Sequence, residues 1–303
     1  MTQFRQPTKE DMDVFLEDTD RPLPAVIMSC KDLHQSGVVA YKTLRSEFVD
    51  DEIENTRLLR EARVSAMLQH PNTIPVYEVG RDRKGRYYFT MKLVHGYTLR
   101  EIMDYRERYD LTQLVRVIEQ IAHALANAHA HGVAHRDIKP ENILVGPYNE
   151  VLLMDWGLAK VWSKDGKTSD DDNQTSKSLL ASTDQSITGH GKLQGTLCYM
   201  SPEQIRRDPD ISFSTDIYSL GSVLYEVLTG QTPFDSDKTY EILDMVEHKQ
   251  PAHPSDISKY PVPRLLEDLC MRCLEKDSAD RPPSMSEVVR TLEHEWASEL
   301  SRR

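Results

Sequence analysis

Cysteine is scarce. Cys30, Cys198, Cys270 and Cys273 are too few to staple a disulfide scaffold, and their use fits a reducing compartment. Cys270 and Cys273 form one C-x-x-C without a second pair nearby. Leu266, Leu269 and Leu274 repeat around them at helical spacing, which predicts a buried helix rather than a zinc or redox centre. Long apolar runs are missing too: nothing approaches the ~18 consecutive residues that a membrane span requires. The acidic N-terminal stretch lacks the apolar core of a signal peptide, so the expectation is a cytoplasmic protein. Positive charge is in deficit, with 37 Lys and Arg against 49 Asp and Glu and a net charge of −12. No basic patch stands out, which excludes the electrostatic footprint of a nucleic-acid binder and leaves a solvated acidic surface. His123, His129 and His131 lack an evident acidic partner, so they read as helix surface and cap residues rather than metal ligands.

With 303 residues and 39% apolar content, the chain can bury one large core or two smaller lobes. Its densest chemistry is the stretch His135-Arg136-Asp137-Ile138-Lys139-Pro140-Glu141-Asn142. Polar groups packed this tightly between apolar segments predict a rigid loop at the mouth of a cleft. Ile143-Leu144-Val145 follows, then a turn through Gly146 to Glu150, then Leu152-Leu153-Met154-Asp155-Trp156-Gly157. Pairing of the two short apolar strands brings Asn142 and Asp155 together. An amide oxygen beside a carboxylate suits Mg²⁺, which prefers oxygen ligands and keeps substrate phosphates in its shell.

Residues 135–142 resemble the catalytic loop of protein kinases, and Asp155-Trp156-Gly157 resembles their Asp-Phe-Gly with Trp for Phe. The resemblance implies an α+β bilobal fold: a small β-sheet N-lobe with one long helix (21–94) and a larger, mainly helical C-lobe (95–303), after a polar segment (1–20). It makes Asp137 the base for the substrate hydroxyl and Lys139 the neutraliser of the transferring phosphoryl. Asn142 and Asp155 become the magnesium ligands. Lysine two places after the aspartate resembles the Ser/Thr branch. Gly37 to Lys42 is similar to the family's third strand, with Ala40 against adenine and Lys42 on the α- and β-phosphates. Arg60-Glu61-Ala62 resembles the signature of the helix whose glutamate pairs with that lysine. By the same resemblance Met91 is the gatekeeper, Leu93 and Val94 supply hinge backbone groups, and Ile27 and Leu144 complete the nucleotide pocket.

Local patterns agree with this layout. Ala25 to Cys30 and Gly37 to Lys42 read as strands, Glu52 to Leu68 as a helix ended by His70-Pro71. Thr73 to Val79 and Arg86 to Val94 read as a hairpin about Asp82-Arg83-Lys84-Gly85. Thr98 is a candidate N-cap, and Leu111 to His131 carries the apolar face of a core helix. Asp155 to Glu203 resembles an activation segment. Its middle, Ser163 to Lys192, is too polar to order itself, so it is either functional or disordered. Arg136 suits a phosphorylated residue of that segment, with Thr188 the leading acceptor and Ser186 the next. Thr196 would hydrogen-bond near Asp137 and Lys139. Ser201-Pro202-Glu203 looks like the end of the segment, with Glu203 paired to Arg281, and Asp216 resembles the buried aspartate that steadies the catalytic loop. The last helix is expected over about Ser284 to Ser298. Motifs of this kind run from residue 25 to about 293, most like bacterial kinases of the eukaryotic type.

One family feature is missing. No glycine precedes Gly37, and the places of the glycine-rich loop hold Asp20-Arg21-Pro22-Leu23-Pro24-Ala25-Val26. Pro22 and Pro24 have no N–H to lay on a phosphate. Hydrogen bonds to charged groups contribute about 1.5–3 kcal/mol each, so losing one or two implies a deficit of roughly tenfold to several hundredfold. The expectation is an impaired ATP- and Mg²⁺-dependent kinase acting on protein Ser/Thr hydroxyls, with self-association for trans-autophosphorylation, no nucleic-acid partner and no membrane span. A pseudokinase scaffold that binds nucleotide without turnover is the alternative, and a piece of a longer receptor kinase is a third reading.

Overall fold

A computed structural model describes residues 24–31, 37–105, 109–162 and 196–300. The first half builds an antiparallel sheet from β1 (Ala25–Lys31), β2 (Val38–Leu44), β3 (Val76–Arg81) and β4 (Tyr87–Lys92), in the order β1-β2-β4-β3. β2 is therefore central, with Lys42 opposite Ile27 on one side and Phe89 on the other. Alternation puts Ala40, Lys42 and Leu44 on one face. That face is covered by α1 (Glu52–Met67), whose Leu58 and Ala62 pack with Ala40, Leu44, Phe89 and Met91 into one buried cluster. Asp51 caps α1 by accepting from the N–H groups of Ile53 and Glu54. Ala25 and Val26, which the count from Lys42 assigns to the glycine-rich loop, are in β1 and pair with Leu44 and Thr43. Residues 20–23 of that segment lie outside the described residues.

Between this sheet and the helical half run β5 (Tyr97–Thr98), β6 (Val133–Ala134), β7 (Ile143–Val145), β8 (Val151–Leu153) and β9 (Lys160–Val161). β5, β7 and β8 form one small sheet and β6 pairs with β9. The expected pairing of residues 143–145 with 151–153 is present, with Ile143 opposite Leu153.

The helical half packs around α3 (Leu111–Ala130), preceded by the short α2 (Leu99–Asp104). Reciprocal capping boxes start both helices, Thr98 with Glu101 and Asp110 with Gln113. α3 buries Leu114, Ile118, Ile121 and Leu125 against α4 (Ser214–Thr229), which is buried over nearly its whole length and ends at Gly230 with φ +78°. α5 (Thr239–His248) and α6 (Arg264–Cys273) complete the core. α6 crosses α4 where Gly221 sits: a Cβ there would lie 2.5 Å from that of Cys273, so only glycine allows the approach. Cys270 and Cys273 are buried free thiols in α6, as the leucine spacing predicts.

The C-terminal helix covers the expected range but is not α-helical throughout. It starts at α7 (Met285–Arg290), widens into a π-helical turn over Thr291–Trp296, and resumes as Ala297–Leu300. The apolar period of a π turn is too close to that of an α-helix to be seen in six residues. Among the described residues no helix is long and apolar enough to cross a membrane.

Candidate active site

Asp216, at the start of α4, has no exposed surface. Its carboxylate accepts from the backbone N–H groups of His135 (2.9 Å) and Arg136 (2.8 Å), and Oδ2 meets His129 Nε2 at 2.8 Å. Burial opposes its charge, but His129, His135 and the Arg136 N–H outweigh burial and hold its pKa below the usual carboxylate range. These contacts fix a strained segment: Arg136 has φ +68°, a left-handed conformation that costs an arginine of order 1–3 kcal/mol. The premise that these histidines lack an acidic partner fails for His129, which meets Asp216 87 residues away, and for His123, 3.6 Å from Glu293, although His123 lies on the helix surface as expected. His131 is a helix cap, as expected.

The loop then turns Asp137 outward. Lys139 Nζ donates to Asp137 Oδ1 at 3.2 Å and lies 3.0 Å from Oδ2. Asn142 Nδ2 donates to the Asp137 carbonyl (2.8 Å) and to Oδ2 (2.9 Å). The amide nitrogen is thereby used, which leaves the amide oxygen as the side chain's other polar atom. Asp155 also takes a left-handed conformation, φ +60°, with its Oδ1 accepting from Gly157 N–H at 3.2 Å. Met154 N–H donates to the Asn142 carbonyl at 2.9 Å, tying the two motifs side by side. His135 accepts the Asp137 N–H at Nδ1 and meets the Met154 carbonyl at Nε2. Its ring packs edge-on to buried Trp156, whose indole N–H has no acceptor among the described residues.

Lys42 and Glu61 meet as expected. Lys42 Nζ donates to both carboxylate oxygens, at 2.6 and 2.7 Å. Ile27, Lys42, Glu61, Met91, Asn142 and Asp155 line one cavity of about 170 Å³, together with Trp156. Ala40 is buried on the Lys42 face of β2, and Leu93 packs against its cluster. Val94 and Leu144 are half-buried and do not line the cavity; Leu144 pairs with Thr98 and Leu152 in the small sheet. A larger hollow of about 420 Å³ opens between Arg206 and Lys276, but its lining of mixed charges and serines contains no group of the two motifs.

Charges at the cavity are coupled. Burial penalises Lys42, yet Glu61 and Asp155 outweigh it and raise its pKa, so the ammonium persists. Lys139 is raised against burial by Asp137 and Asp155. Asp155 is lowered despite burial by Lys42, Lys139 and the Gly157 N–H, so it stays ionised. Glu61 is pushed up to about 7, because burial and Asp155 prevail over Lys42. Between pH 4.5 and 7 the nucleotide-free folded state thus holds a proton on Glu61 that the unfolded chain releases. This group's contribution is full below pH 4.5 and is lost as pH rises through 7. The melting temperature of the wild type minus that of Glu61→Gln should therefore rise as pH falls from 7 to 4.5; a flat difference would contradict the assignment.

Glu203 and Gln204 are locked to the core. Arg281, with no exposed side-chain surface, donates to both Glu203 oxygens (2.7 and 2.9 Å) and to the carbonyls of Ser214 and Glu275. Arg281→Lys cannot reproduce that fork. Lysine keeps the charge but loses a hydrogen bond to the carboxylate, of the kind that contributes about 1.5–3 kcal/mol; chemical denaturation with an unshifted midpoint would contradict this. Gln204 Nε2 donates to the Arg136 carbonyl at 2.8 Å, and Arg136 Nε to that of Leu158 at 2.8 Å. Thr196 accepts from Tyr199 N–H at its carbonyl. Thr188 and Ser186 lie outside the described residues.

Sequence reasoning missed one cluster altogether. Arg100 in α2 donates to Glu141 of the loop, to Glu226 of α4 and to the Tyr199 hydroxyl, which also bonds Glu226. These residues lie 41 to 126 positions from Arg100, and nothing local marks them as partners.

Comparison with known proteins agrees with this geometry. Residues 24–297 match the family model described as protein kinase domain. The chain is 35% identical over 275 residues to the serine/threonine-protein kinase PknD of Protochlamydia amoebophila, covering 84% of this chain and 27% of that protein. It is 34% identical over 253 residues to the probable serine/threonine-protein kinase PknB of Lactococcus lactis, covering 83% and 36%. It is 34% identical over 265 residues to the serine/threonine-protein kinase pkn3 of Myxococcus xanthus, covering 85% and 45%. The aligned region thus spans less than half the length of these relatives. A family match over nearly the whole chain, on a two-lobed fold with both motifs beside one cavity, has one reading: the chain belongs to the protein kinase domain family, among the bacterial serine/threonine kinases.

Proposed function

We propose that the chain transfers the γ-phosphoryl of ATP to Ser or Thr hydroxyls of protein substrates. The observation that supports this reading is the meeting of Lys42, Glu61, Asn142 and Asp155 around one cavity, with Asp137 bonded to Asn142 and Lys139 beside it. Lys42, held by Glu61, presents a permanent cation to the α- and β-phosphates. Asp137, held by Asn142 and Lys139, accepts the substrate hydroxyl proton, and Lys139 offsets charge on the transferred group. Asn142 and Asp155 form an oxygen donor set that fits Mg²⁺, which when bound neutralises phosphate charge. Thr196 would position the acceptor. Arg136 would pair with a phosphorylated Thr188 or Ser186, with self-association serving that phosphorylation in trans.

The absence of glycine before Gly37 favours a second reading, a nucleotide-binding scaffold without turnover. Incubation with ATP and Mg²⁺ beside Asp137→Asn separates the two. Kinase activity predicts incorporation into protein Ser/Thr that the variant lacks, at a rate reduced by the missing loop donors. Equal incorporation in both proteins, or none in either, contradicts it.

A further inference from the structure

Glu119 and His123 lie one turn apart on α3 and so share a face. Glu293 reaches the same place from the π-helical turn Thr291–Trp296. One ligand atom from each of the three lies within 4.8 Å of the others. None of the three residues belongs to the catalytic loop or to either kinase motif.

Two features set this group apart from ordinary surface acids. The two carboxylates converge in a protein of net charge −12, and among the described residues neither is paired with a lysine or arginine. His123 Nε2 is 3.6 Å from Glu293 Oε1, longer than a hydrogen bond. It is close to the ~3.4 Å expected between two donors each about 2.0–2.2 Å from a tetrahedral zinc ion. The π turn carries Glu293 while Leu292 and Trp296 on either side of it stay buried, so the carboxylate is presented from a fixed base.

We propose that Glu119, His123 and Glu293 bind a zinc ion that staples the C-terminal helix to α3, with water in the fourth position. An imidazole between two carboxylates selects zinc over magnesium, which has little use for a nitrogen ligand.

The test is calorimetric titration of the full chain with ZnCl₂, paired with thermal unfolding in ZnCl₂, MgCl₂ or EDTA. Wild type should bind one zinc at this site and melt higher with zinc than with EDTA, whereas magnesium gives no such shift. His123→Ala and Glu293→Gln, both at partly exposed positions, should weaken zinc binding at least about tenfold. Asp155→Asn should leave it unchanged, which separates this site from the catalytic cleft. Absence of saturable zinc binding overturns the proposal. So does unchanged affinity in His123→Ala, or loss of affinity in Asp155→Asn.

Discussion

Lys42→Met should reduce phosphoryl transfer by at least about 10²- to 10³-fold, the effect of removing one preorganised charge-stabilising donor. Its side chain is the only ammonium hydrogen-bonded to Glu61 among the described residues, and it also lowers the pKa of Asp155. The stability cost is more subtle. Removing one partner of a buried ion pair costs about 3–5 kcal/mol when the other stays charged. Glu61 already sits at about 7, so near neutral pH it escapes much of that penalty by taking up a proton. The variant should therefore fold and melt only modestly lower, and adding Glu61→Gln should recover part of the loss. Unaltered turnover in Lys42→Met would remove Lys42 from the phosphate site. A fully unfolded variant would contradict the proposed protonation of Glu61.

Asp216→Ala should be the most damaging single change to the loop. It leaves two buried backbone N–H groups and His129 without their acceptor, and releases the left-handed Arg136 from the contacts that hold it. The expected cost is about 3–5 kcal/mol. At roughly 2–4 °C per kcal/mol for a domain of this size, melting should fall by roughly 6–20 °C. Asp216→Asn keeps one acceptor oxygen and should fall between. Activity should drop with the alanine variant even well below its melting temperature, because Asp137 follows directly on the released segment. A wild-type melting curve for Asp216→Ala would show that the loop is held by something else.

These two residues mark what was legible in the sequence. Residues 135–142 and 155–157 could be read because their chemistry is contiguous and the strands that join them are short. Helix starts were legible where a cap residue stands next to an apolar pattern, as at Thr98. The pairing of Lys42 with Glu61 came only through resemblance, since a lysine in a strand and a glutamate on a helix are individually unremarkable. Partners far apart in the chain left no local trace: Asp216 with His129, and Arg100 with Glu226, depend on how α2, α3 and α4 pack. The π turn was hidden for a different reason, because one added residue in a single turn barely alters an apolar period. Ala25 and Val26 could be read two ways, as strand from their apolar run and as glycine-rich-loop places by counting back from Lys42, and their pairing with Leu44 and Thr43 decides for the strand.

The central claim is that side chains from position 42 to position 155 serve a single nucleotide. Calorimetric titration with a non-hydrolysable ATP analogue, with and without Mg²⁺, tests it most directly on wild type, Lys42→Met and Asp155→Asn. One analogue should bind per chain, more tightly with Mg²⁺. Lys42→Met should weaken that binding, and Asp155→Asn should abolish the magnesium dependence. Affinity indifferent to both substitutions, or a magnesium effect that survives Asp155→Asn, would contradict the account.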